Sequence, residues 1–244
     1  MVDKAYIDRI MMTQTFNYIQ RNHLYQNFKI NEDLQIEEVV LTNGTKYYKV
    51  KNFFKYPGMA LKNLLEWPVI KPPAYVYTPG GRQNFTPMDL VPIVTSYADI
   101  AGTINDKEYK PQSFITSSNV VSPNPHVWKG SWHPHTDHDM VFNLWLCDWT
   151  EGTGLYTYKG YKTIGEYNSS KEYDGPPDQK LDRVQIVGWQ NFTSGDGYEL
   201  YHTIPCEFNT LTIYDGKMFH GTIMGEGTGE RYSLISFYRP NESY

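Results

Sequence analysis

The sequence is poor in cysteine, has no long apolar run and carries no excess of basic residues. Its two cysteines, Cys147 and Cys206, are too few for a disulfide framework and lack the spacing of a zinc knuckle, so we expect free thiols. No stretch approaches the roughly 18 apolar residues of a membrane span, and the N-terminal residues contain no apolar signal region. These absences predict a soluble, cytoplasmic protein with no membrane partner.

Acidic residues outnumber basic ones, 27 against 22, which gives a formal net charge of −5 and a pI near 5.8. Such a chain has no overall positive field to hold a polyphosphate backbone, so we exclude general coating of duplex nucleic acid. A flipped base, a free amino acid, a peptide side chain and a small metabolite all stay open as substrates. The sequence says nothing about oligomeric state.

Aromatic residues are abundant, at 16% of the chain, and 21 of them are tyrosines. Residues of this kind pack well on pleated, half-buried surfaces, so the composition favours strands over long helices. No linker-like change in composition divides the 244 residues. We therefore expect residues 1–45 to form an N-terminal extension and residues 46–244 to form a single domain.

Helices are predicted only in the first part of the chain. Residues 8–24 are weakly helical, and a predicted strand at 46–54 precedes a short helix with Pro57 in its first turn. Proline and glycine density predicts a loop at 78–87, followed by a second helix at 88–102.

Short strands separated by turn signals fill the rest of the sequence. They are predicted at residues 113–121, 140–149, 154–158, 181–188, 199–204, 210–214 and 231–238. Asp196 and Gly197 predict a tight hairpin turn, whereas residues 165–180 are too polar for a core strand and predict a surface insertion. Seven or more such strands indicate a sandwich or barrel with the helices packed on one face.

His135 and Asp137 are two residues apart, so in a strand both side chains point to the same side. We expect them to bind one metal ion together with His220. Two imidazoles and one carboxylate leave part of the coordination sphere open, as non-haem Fe(II) that takes up a co-substrate and dioxygen requires. A structural zinc site would instead need four protein ligands, preferably thiolates, and neither cysteine has a suitable spacing.

A different ligand pair stays open, because His133 and His135 are also two residues apart. A cupin-type site built on this pair would need a glutamate a few residues on, but the acidic residues there are Asp137 and Asp139, so we favour His135 with Asp137. A histidine-rich polar loop that binds no metal is the simplest alternative. The remaining histidines are interpreted as solvated or structural: His23, His126, His138 and His202.

Arg231 and Ser233 share one face of the predicted strand at 231–238. An arginine and a hydroxyl side by side form a bidentate receiver for a carboxylate. The alternative for Arg231 is a surface arginine at a strand edge, in which case Arg82 or Lys159 would receive the carboxylate.

The order His135-x-Asp137, His220, Arg231-x-Ser233 resembles that of the Fe(II)/2-oxoglutarate-dependent oxygenases. The resemblance covers much of residues 46–240 and lies in segments 47–54, 142–146, 151–156 and 208–216. Segments 79–82, 133–137 and 152–159 are similar to an uncharacterised bacterial and phage branch. One departure is that the usual Gly-Gly after the metal-binding strand appears here as Glu-Gly-Thr-Gly at 151–154.

This resemblance implies a mainly β fold, the double-stranded β-helix, which is a jelly-roll relative of the cupins. It implies Fe(II) on His135, Asp137 and His220, and 2-oxoglutarate on the metal with its far carboxylate on Arg231 and Ser233, with no further catalytic residue. Dioxygen would convert 2-oxoglutarate to succinate, and an unidentified small-molecule, amino-acid or peptide substrate would be hydroxylated. Halogenating members lack the carboxylate ligand, so the resemblance implies hydroxylation, or a desaturation or demethylation that follows from it, and not halogenation. Asn143 and Tyr156 lie on strands that line the site in that family.

A non-catalytic jelly-roll module is the competing hypothesis, for example a carbohydrate-binding or virion protein in which the histidines are incidental. Abundant tyrosine and tryptophan suit sugar stacking as well. A binding module has no reason to keep the metal ligands and the arginine in this order, and this distinguishes the two hypotheses.

Overall fold

Two antiparallel sheets form the core of the structure, a computed structural model that describes residues 28–69, 81–121, 134–137, 140–174, 194–223 and 230–239. The predicted helix at 8–24 and the predicted strand at 181–188 lie outside these residues. In the described ranges, no helix is both long and apolar enough to cross a membrane.

The described part of the chain contains eleven strands and three α-helices. The strands are β1 Ile36–Val40, β2 Lys46–Val50, β3 Gly81–Phe85, β4 Phe114–Val121, β5 Val141–Trp145, β6 Trp149–Tyr158, β7 Ser194–Gly195, β8 Tyr198–Cys206, β9 Thr210–Tyr214, β10 Phe219–Thr222 and β11 Arg231–Tyr238. The helices are α1 Pro57–Leu65, α2 Val91–Asn105 and α3 Ile164–Asn168. The fold is mainly β, as the composition predicts.

The strand order identifies the fold. The seven-stranded sheet has the order β1-β2-β9-β5-β11-β4-β3, and the four-stranded sheet has the order β10-β6-β8-β7. Pairs are nested along the chain: β4 with β11, His135 with His220 of β10, β5 with β9, and β6 with β8. The chain therefore runs out and back as a ribbon whose successive pairs alternate between the two sheets. This arrangement is a double-stranded β-helix, and the predicted fold class is confirmed.

The two faces of the seven-stranded sheet bury different partners, because successive side chains of a strand point to opposite faces. Phe142 and Leu144 of β5 pack with α1 and α2 in the main core. Val141 of the same strand packs against Leu155 of β6 and Ile204 of β8. The helices thus cover one face, as predicted. The opposite face, here called the inner face, packs on the four-stranded sheet.

The predicted loop at 78–87 is wrong where the structure describes it, because Gly81–Phe85 forms β3. This strand pairs antiparallel with β4 at the edge of the seven-stranded sheet. Pairing with a neighbouring strand overrides the local turn preference, and an edge position tolerates the exposed, polar Asn84.

The expectation that helices end near residue 102 is also wrong. Helix α3 begins after Thr163, whose hydroxyl accepts a hydrogen bond from the backbone N–H of Glu166 in a capping box. Tyr167 of this helix is buried in an aromatic cluster with Tyr158 and Phe219. The first residues of the predicted insertion at 165–180 therefore pack on the four-stranded sheet.

The predicted hairpin turn is confirmed between β7 and β8. Asp196 and Gly197 both have positive φ values, 51° and 87°, as a two-residue turn of type I′ requires. Ser194 and Gly195 pair with Glu199 and Tyr198 on the two sides of this turn.

Part of the segment predicted as an N-terminal extension packs on the sheet. Phe28 is buried in the main core, and β1 pairs antiparallel with β2. The division of the chain at residue 45 stays a prediction.

Candidate functional site

His135, Asp137 and His220 lie together in the structure. One ligand atom from each lies within 4.8 Å of the others. The Nε2 atoms of His135 and His220 are 3.6 Å and 3.0 Å from Oδ2 of Asp137. The group is a candidate metal site of two imidazoles and one carboxylate, a donor set that suits Fe(II) with open positions.

Backbone pairing holds the two histidines side by side. The N–H of His135 donates to the carbonyl of His220 at 2.8 Å, and the N–H of His220 donates to the carbonyl of His135 at the same distance. Residues opposite each other in such a pair project to the same side of the sheet, and the two ring centroids are 4.6 Å apart. Asp137, two residues on, is fixed by its N–H, which donates to the carbonyl of Gly216 at 2.7 Å.

The ring of His220 is held at both nitrogens. Its Nδ1 lies 2.8 Å from the carbonyl oxygen of Met218, so a proton on Nδ1 donates to that carbonyl. Its Nε2 lies 3.0 Å from Oδ2 of Asp137, and a proton on Nε2 donates to that carboxylate; a bound metal ion would take the place of this proton. The ring is buried and contacts the edge of the Tyr214 ring, with 5.0 Å between centroids.

Asp137 is held in its charged form. Burial acts to raise the pKa of this carboxyl, but hydrogen bonds from His135 and His220 outweigh burial and keep the pKa well below its usual range. Ligand carboxylates must be deprotonated to bind a metal.

Arg231 is a buried cation with no carboxylate counterion among the described residues. Its side chain is 1% exposed, its Nη2 donates to the carbonyl of Gly152 at 3.0 Å, and its guanidinium lies 4.7 Å from the ring centroid of Trp145. In the described ranges no carboxylate pairs with Arg231, and its Nε has no hydrogen-bond partner. Burial lowers the pKa of Arg231, but arginine stays charged in proteins. Because an uncompensated buried charge is unfavourable, this guanidinium suits an anionic ligand.

Other buried polar atoms on the inner face also lack hydrogen-bond partners among the residues that the structure describes. They are Oγ of Ser233 on β11, Oδ1 of Asn119 on β4 and Oδ1 of Asn143 on β5. Ser233 lies directly opposite Asn119 on one side and Trp145 on the other. Buried polar groups are normally hydrogen-bonded, so these atoms indicate space for a polar ligand on the inner face.

The register of β6 relates Arg231 to the metal ligands. Leu155 of β6 lies opposite His220, and Gly152, which binds Arg231, comes three residues before Leu155. The backbones of Gly152 and Leu155 are therefore about 10 Å apart along β6. A five-carbon dicarboxylate and the arginine side chain can together bridge this separation.

Tyr156 of β6 does not face the seven-stranded sheet. It is buried with Tyr158, Tyr198 and Phe219 on the opposite side of the four-stranded sheet, which makes it a core residue. Lys159, one of the alternative residues for binding the carboxylate, donates to Asp174 and contacts the rings of Tyr158 and Tyr167.

His202 of β8 lies opposite Leu155, in the same cross-strand row as His220, but strand β6 separates the two histidines and His202 is not part of the His-Asp-His group. Its ring centroid is 5.7 Å from that of Tyr47, and burial lowers its pKa. His133, the alternative ligand, lies outside the described residues, as do His23, His126 and His138. The choice of His135 and Asp137 over a His133–His135 pair therefore stays a prediction.

Two lining residues were not predicted from the sequence. Trp145 stacks on Arg231, and Tyr214 contacts His220. The alternation of side chains within each strand places Trp145 on the same face as Val141, and Tyr214 on the same face as Thr212. The register between the two strands, however, cannot be obtained from the sequence.

No family model matches the chain, and no curated protein matches its sequence. It is similar in structure to a prolyl 4-hydroxylase from Phytophthora capsici, with 10% identity and a TM-score of 0.47 over 80% of this chain and 59% of that one. It is also similar to SnoN, a non-heme alpha ketoglutarate dependent epimerase from nogalamycin biosynthesis, with 12% identity and a TM-score of 0.43 over 80% and 81% of the two chains. The third is EvdO2 from Micromonospora carbonacea var. aurantiaca complexed with 2-oxoglutarate, with 12% identity and a TM-score of 0.42 over 85% and 96%.

Proposed function

We propose that this chain is an Fe(II)/2-oxoglutarate-dependent oxygenase that hydroxylates a substrate bound beside the metal. The observation that carries the proposal is that one double-stranded β-helix holds both a His-Asp-His group and a fully buried arginine without a carboxylate partner among the described residues. The proposal includes a cytoplasmic location and a small-molecule, amino-acid or peptide substrate, as expected from the sequence.

The donor set fits Fe(II). His135, Asp137 and His220 supply three ligands, and three ligands leave positions open for a co-substrate and dioxygen. The hydrogen bond between Nδ1 of His220 and the Met218 carbonyl fixes the ring orientation, with Nε2 directed towards Asp137. Asp137 occupies a position that a halide would otherwise take, which favours hydroxylation over halogenation.

The buried polar groups fit 2-oxoglutarate. The guanidinium of Arg231 and the hydroxyl of Ser233 lie on one face of β11, and both have atoms without a partner in the described structure. A carboxylate bound there would satisfy these atoms and neutralise the buried charge. Trp145 covers the guanidinium and excludes water from this end of the site.

When bound, Fe(II) and 2-oxoglutarate supply oxygen activation, in which dioxygen gives one oxygen atom to succinate as carbon dioxide leaves and the other to the hydroxylated product. The protein's own part is to hold Asp137 ionised, to orient the His220 ring through Met218, and to fix the co-substrate's far end on Arg231. The inner face also keeps the site largely dry, because Ser233, Asn119 and Trp145 are buried.

Conversion of 2-oxoglutarate to succinate tests this proposal. The purified protein with Fe(II), ascorbate and 2-oxoglutarate is mixed with metabolite and peptide pools, and succinate and oxygen-containing products are measured by mass spectrometry under labelled dioxygen. We expect labelled product and succinate from the wild type and from Asp99→Ala, which removes an exposed carboxylate on α2, but not from Asp137→Ala. Equal succinate from the wild type and Asp137→Ala would contradict the proposal. Absence of both succinate and 2-oxoglutarate binding would favour a non-catalytic jelly-roll module.

A further inference from the structure

Two buried thiols lie in contact at the end of the candidate site that holds Arg231. Cys147 follows β5 and Cys206 ends β8, so 59 positions separate them in the sequence. Their sulfur atoms are 3.3 Å apart, both are free thiols, and the two residues are 6% and 4% exposed. A disulfide bond is about 2.05 Å long, so the sulfurs need to approach by roughly 1 Å to form one. Rotation about the two Cα–Cβ bonds supplies a movement of this size.

Both cysteines contact the backbone that surrounds Arg231. Sγ of Cys147 donates to the carbonyl of Tyr232, the residue after Arg231 on β11, at 3.3 Å. Gly152, whose carbonyl accepts from Arg231, packs against the other cysteine, because a Cβ at Gly152 would lie 3.2 Å from the backbone nitrogen of Cys206. The pair is therefore part of the frame that encloses the buried guanidinium.

The pair does not belong to a metal site in the described part of the chain. The group of metal-ligating side chains found there is His135, Asp137 and His220, and it contains no cysteine. Two thiols without further ligands do not complete a zinc site, and the positive charge of Arg231 disfavours a cation beside them. The reaction open to two thiols in contact is oxidation to a disulfide.

The two thiols are not equivalent, and Cys206 is the one favoured to react first. The hydrogen bond from Cys147 lowers the pKa of Cys206, burial acts to raise it, and the positive charge of Arg231 lowers it further. The same hydrogen bond raises the pKa of Cys147. Because the thiolate is the form that attacks an oxidant, the first step falls on Cys206, with the second thiol already in contact.

We propose that Cys147 and Cys206 are a redox-active pair that hydrogen peroxide converts to a disulfide in the folded protein. The thiolate of Cys206 attacks one peroxide oxygen, the O–O bond breaks and hydroxide leaves, which gives a sulfenic acid on Cys206. Sγ of Cys147 then displaces the hydroxyl group from that sulfur, and the S–S bond forms. The two sulfurs lose two electrons, which reduce the peroxide, and the two thiol protons leave with its oxygen atoms in two water molecules.

Hydrogen peroxide can reach this pair although bulky reagents cannot. It is only slightly larger than a water molecule, and both cysteines keep a small exposed fraction. The disulfide would join the segment between β5 and β6 to the end of β8, and so brace the backbone around Arg231. The reaction needs neither Fe(II) nor 2-oxoglutarate, so it goes beyond the proposed function and is independent of it.

Thiol counting on the full chain tests this proposal. The reduced protein is treated with hydrogen peroxide in the presence of a chelator, so that loosely bound iron generates no radicals, and is then denatured, alkylated and analysed by mass spectrometry. We expect free thiols to fall from two to none per chain and the chain to lose the mass of two hydrogen atoms. A peptide map should join the peptides that contain Cys147 and Cys206, and a reductant should restore both thiols.

Two serine variants assign the order of the steps. Cys147→Ser lacks the second thiol, so peroxide should add oxygen to Cys206 and the sulfenic acid should accumulate. In Cys206→Ser the remaining thiol has the raised pKa of Cys147 without its partner's thiolate beside it, so Cys147 should stay reduced under the same conditions. Oxygen on Cys147 in Cys206→Ser, with none on Cys206 in Cys147→Ser, would overturn the assigned role of Cys206.

The wild-type outcomes decide the proposal itself. Two free thiols that persist under conditions that oxidise free glutathione would overturn it, as would sulfonic acids formed without a disulfide. Circular dichroism should stay unchanged and the melting temperature should not fall on oxidation, because a cross-link restricts the unfolded chain. A lower melting temperature would also overturn the proposal, since the pair would then close only by distorting the fold.

Discussion

His135 and His220 are directly opposite each other in an antiparallel pair, each donating its backbone N–H to the other's carbonyl at 2.8 Å. The two residues are 85 positions apart in the sequence, yet this pairing sets their ring centroids 4.6 Å apart. The geometry of the candidate metal site is thus supplied by sheet pairing. Substitution of one side chain should leave the backbone pairing in place.

Metal binding should depend on three side chains and leave the fold intact. We expect His135→Ala, Asp137→Ala and His220→Ala to lose stoichiometric Fe(II) after anaerobic reconstitution, while circular dichroism stays unchanged. His202→Ala is the matched control and should retain one Fe(II) per chain. Retention of metal in His220→Ala together with its loss in His133→Ala would instead support the cupin-type alternative.

Binding of 2-oxoglutarate should stabilise the protein through Arg231. A ligand at about 100 times its dissociation constant stabilises the folded state by about 2.7 kcal/mol, which for a chain of this length raises the melting temperature by roughly 5 to 10 °C. In Arg231→Gln the charge-assisted contact is lost, so affinity should fall by roughly tenfold to a hundredfold and the shift should shrink accordingly. Differential scanning fluorimetry measures the shift.

The control for that experiment is Arg239→Gln, which should show the wild-type shift. The ligand-induced change is the relevant quantity, since loss of a buried arginine also alters the melting temperature without ligand. A full shift in Arg231→Gln would show that another residue receives the carboxylate.

Strand β6 should tolerate no added methyl group at Gly152. A Cβ at Gly152 would lie 2.9 Å from both the carbonyl oxygen of Ile204 and Cζ2 of Trp145. We expect Gly152→Ala to destabilise the fold by about 1 to 3 kcal/mol, because the strand β8 backbone cannot move away cheaply. Gly58→Ala is the control: its Cβ meets nothing within 4 Å in α1, so stability should stay equal or rise. Urea unfolding distinguishes the two, and equal stability of both variants would contradict the close packing.

The two cysteines should be inaccessible to bulky reagents in the native state. Cys147 and Cys206 are buried with their sulfur atoms 3.3 Å apart, and the hydrogen bond between them raises the pKa of Cys147 and lowers that of Cys206. Because burial denies a bulky reagent access to either sulfur, an aromatic disulfide reagent should label no thiol in the native protein and two thiols per chain in denaturant. Rapid labelling without denaturant would show that this region opens.

Local patterns predicted the elements that their own residues determine. The strand at 210–214 and the strand at 231–238 match β9 and β11, and Pro57 begins α1 as its first-turn preference indicates. Asp196 and Gly197 form their turn because both adopt positive φ without a large penalty. The candidate ligands were found by the same local rule, since His135-x-Asp137 and Arg231-x-Ser233 are period-two pairs.

Elements and contacts that depend on tertiary pairing could not be read from the sequence. Strand β3 contains glycine and asparagine and becomes a strand only by pairing with β4. The stacking of Trp145 on Arg231 and the position of Ser233 opposite Asn119 depend on inter-strand register, which hydrophobic pattern alone does not fix. A short helix such as α3 is specified by a capping box and one buried tyrosine within a polar segment.

An anaerobic titration of the Fe(II)-loaded protein with 2-oxoglutarate tests the central claim most directly. Chelation of the keto acid needs two open metal positions, so the account predicts a saturable visible charge-transfer band of one co-substrate per iron. The band should be absent from Asp137→Ala and need more 2-oxoglutarate in Arg231→Gln. A protein that binds no Fe(II), or that binds one Fe(II) and develops no band at saturating 2-oxoglutarate, would contradict the account.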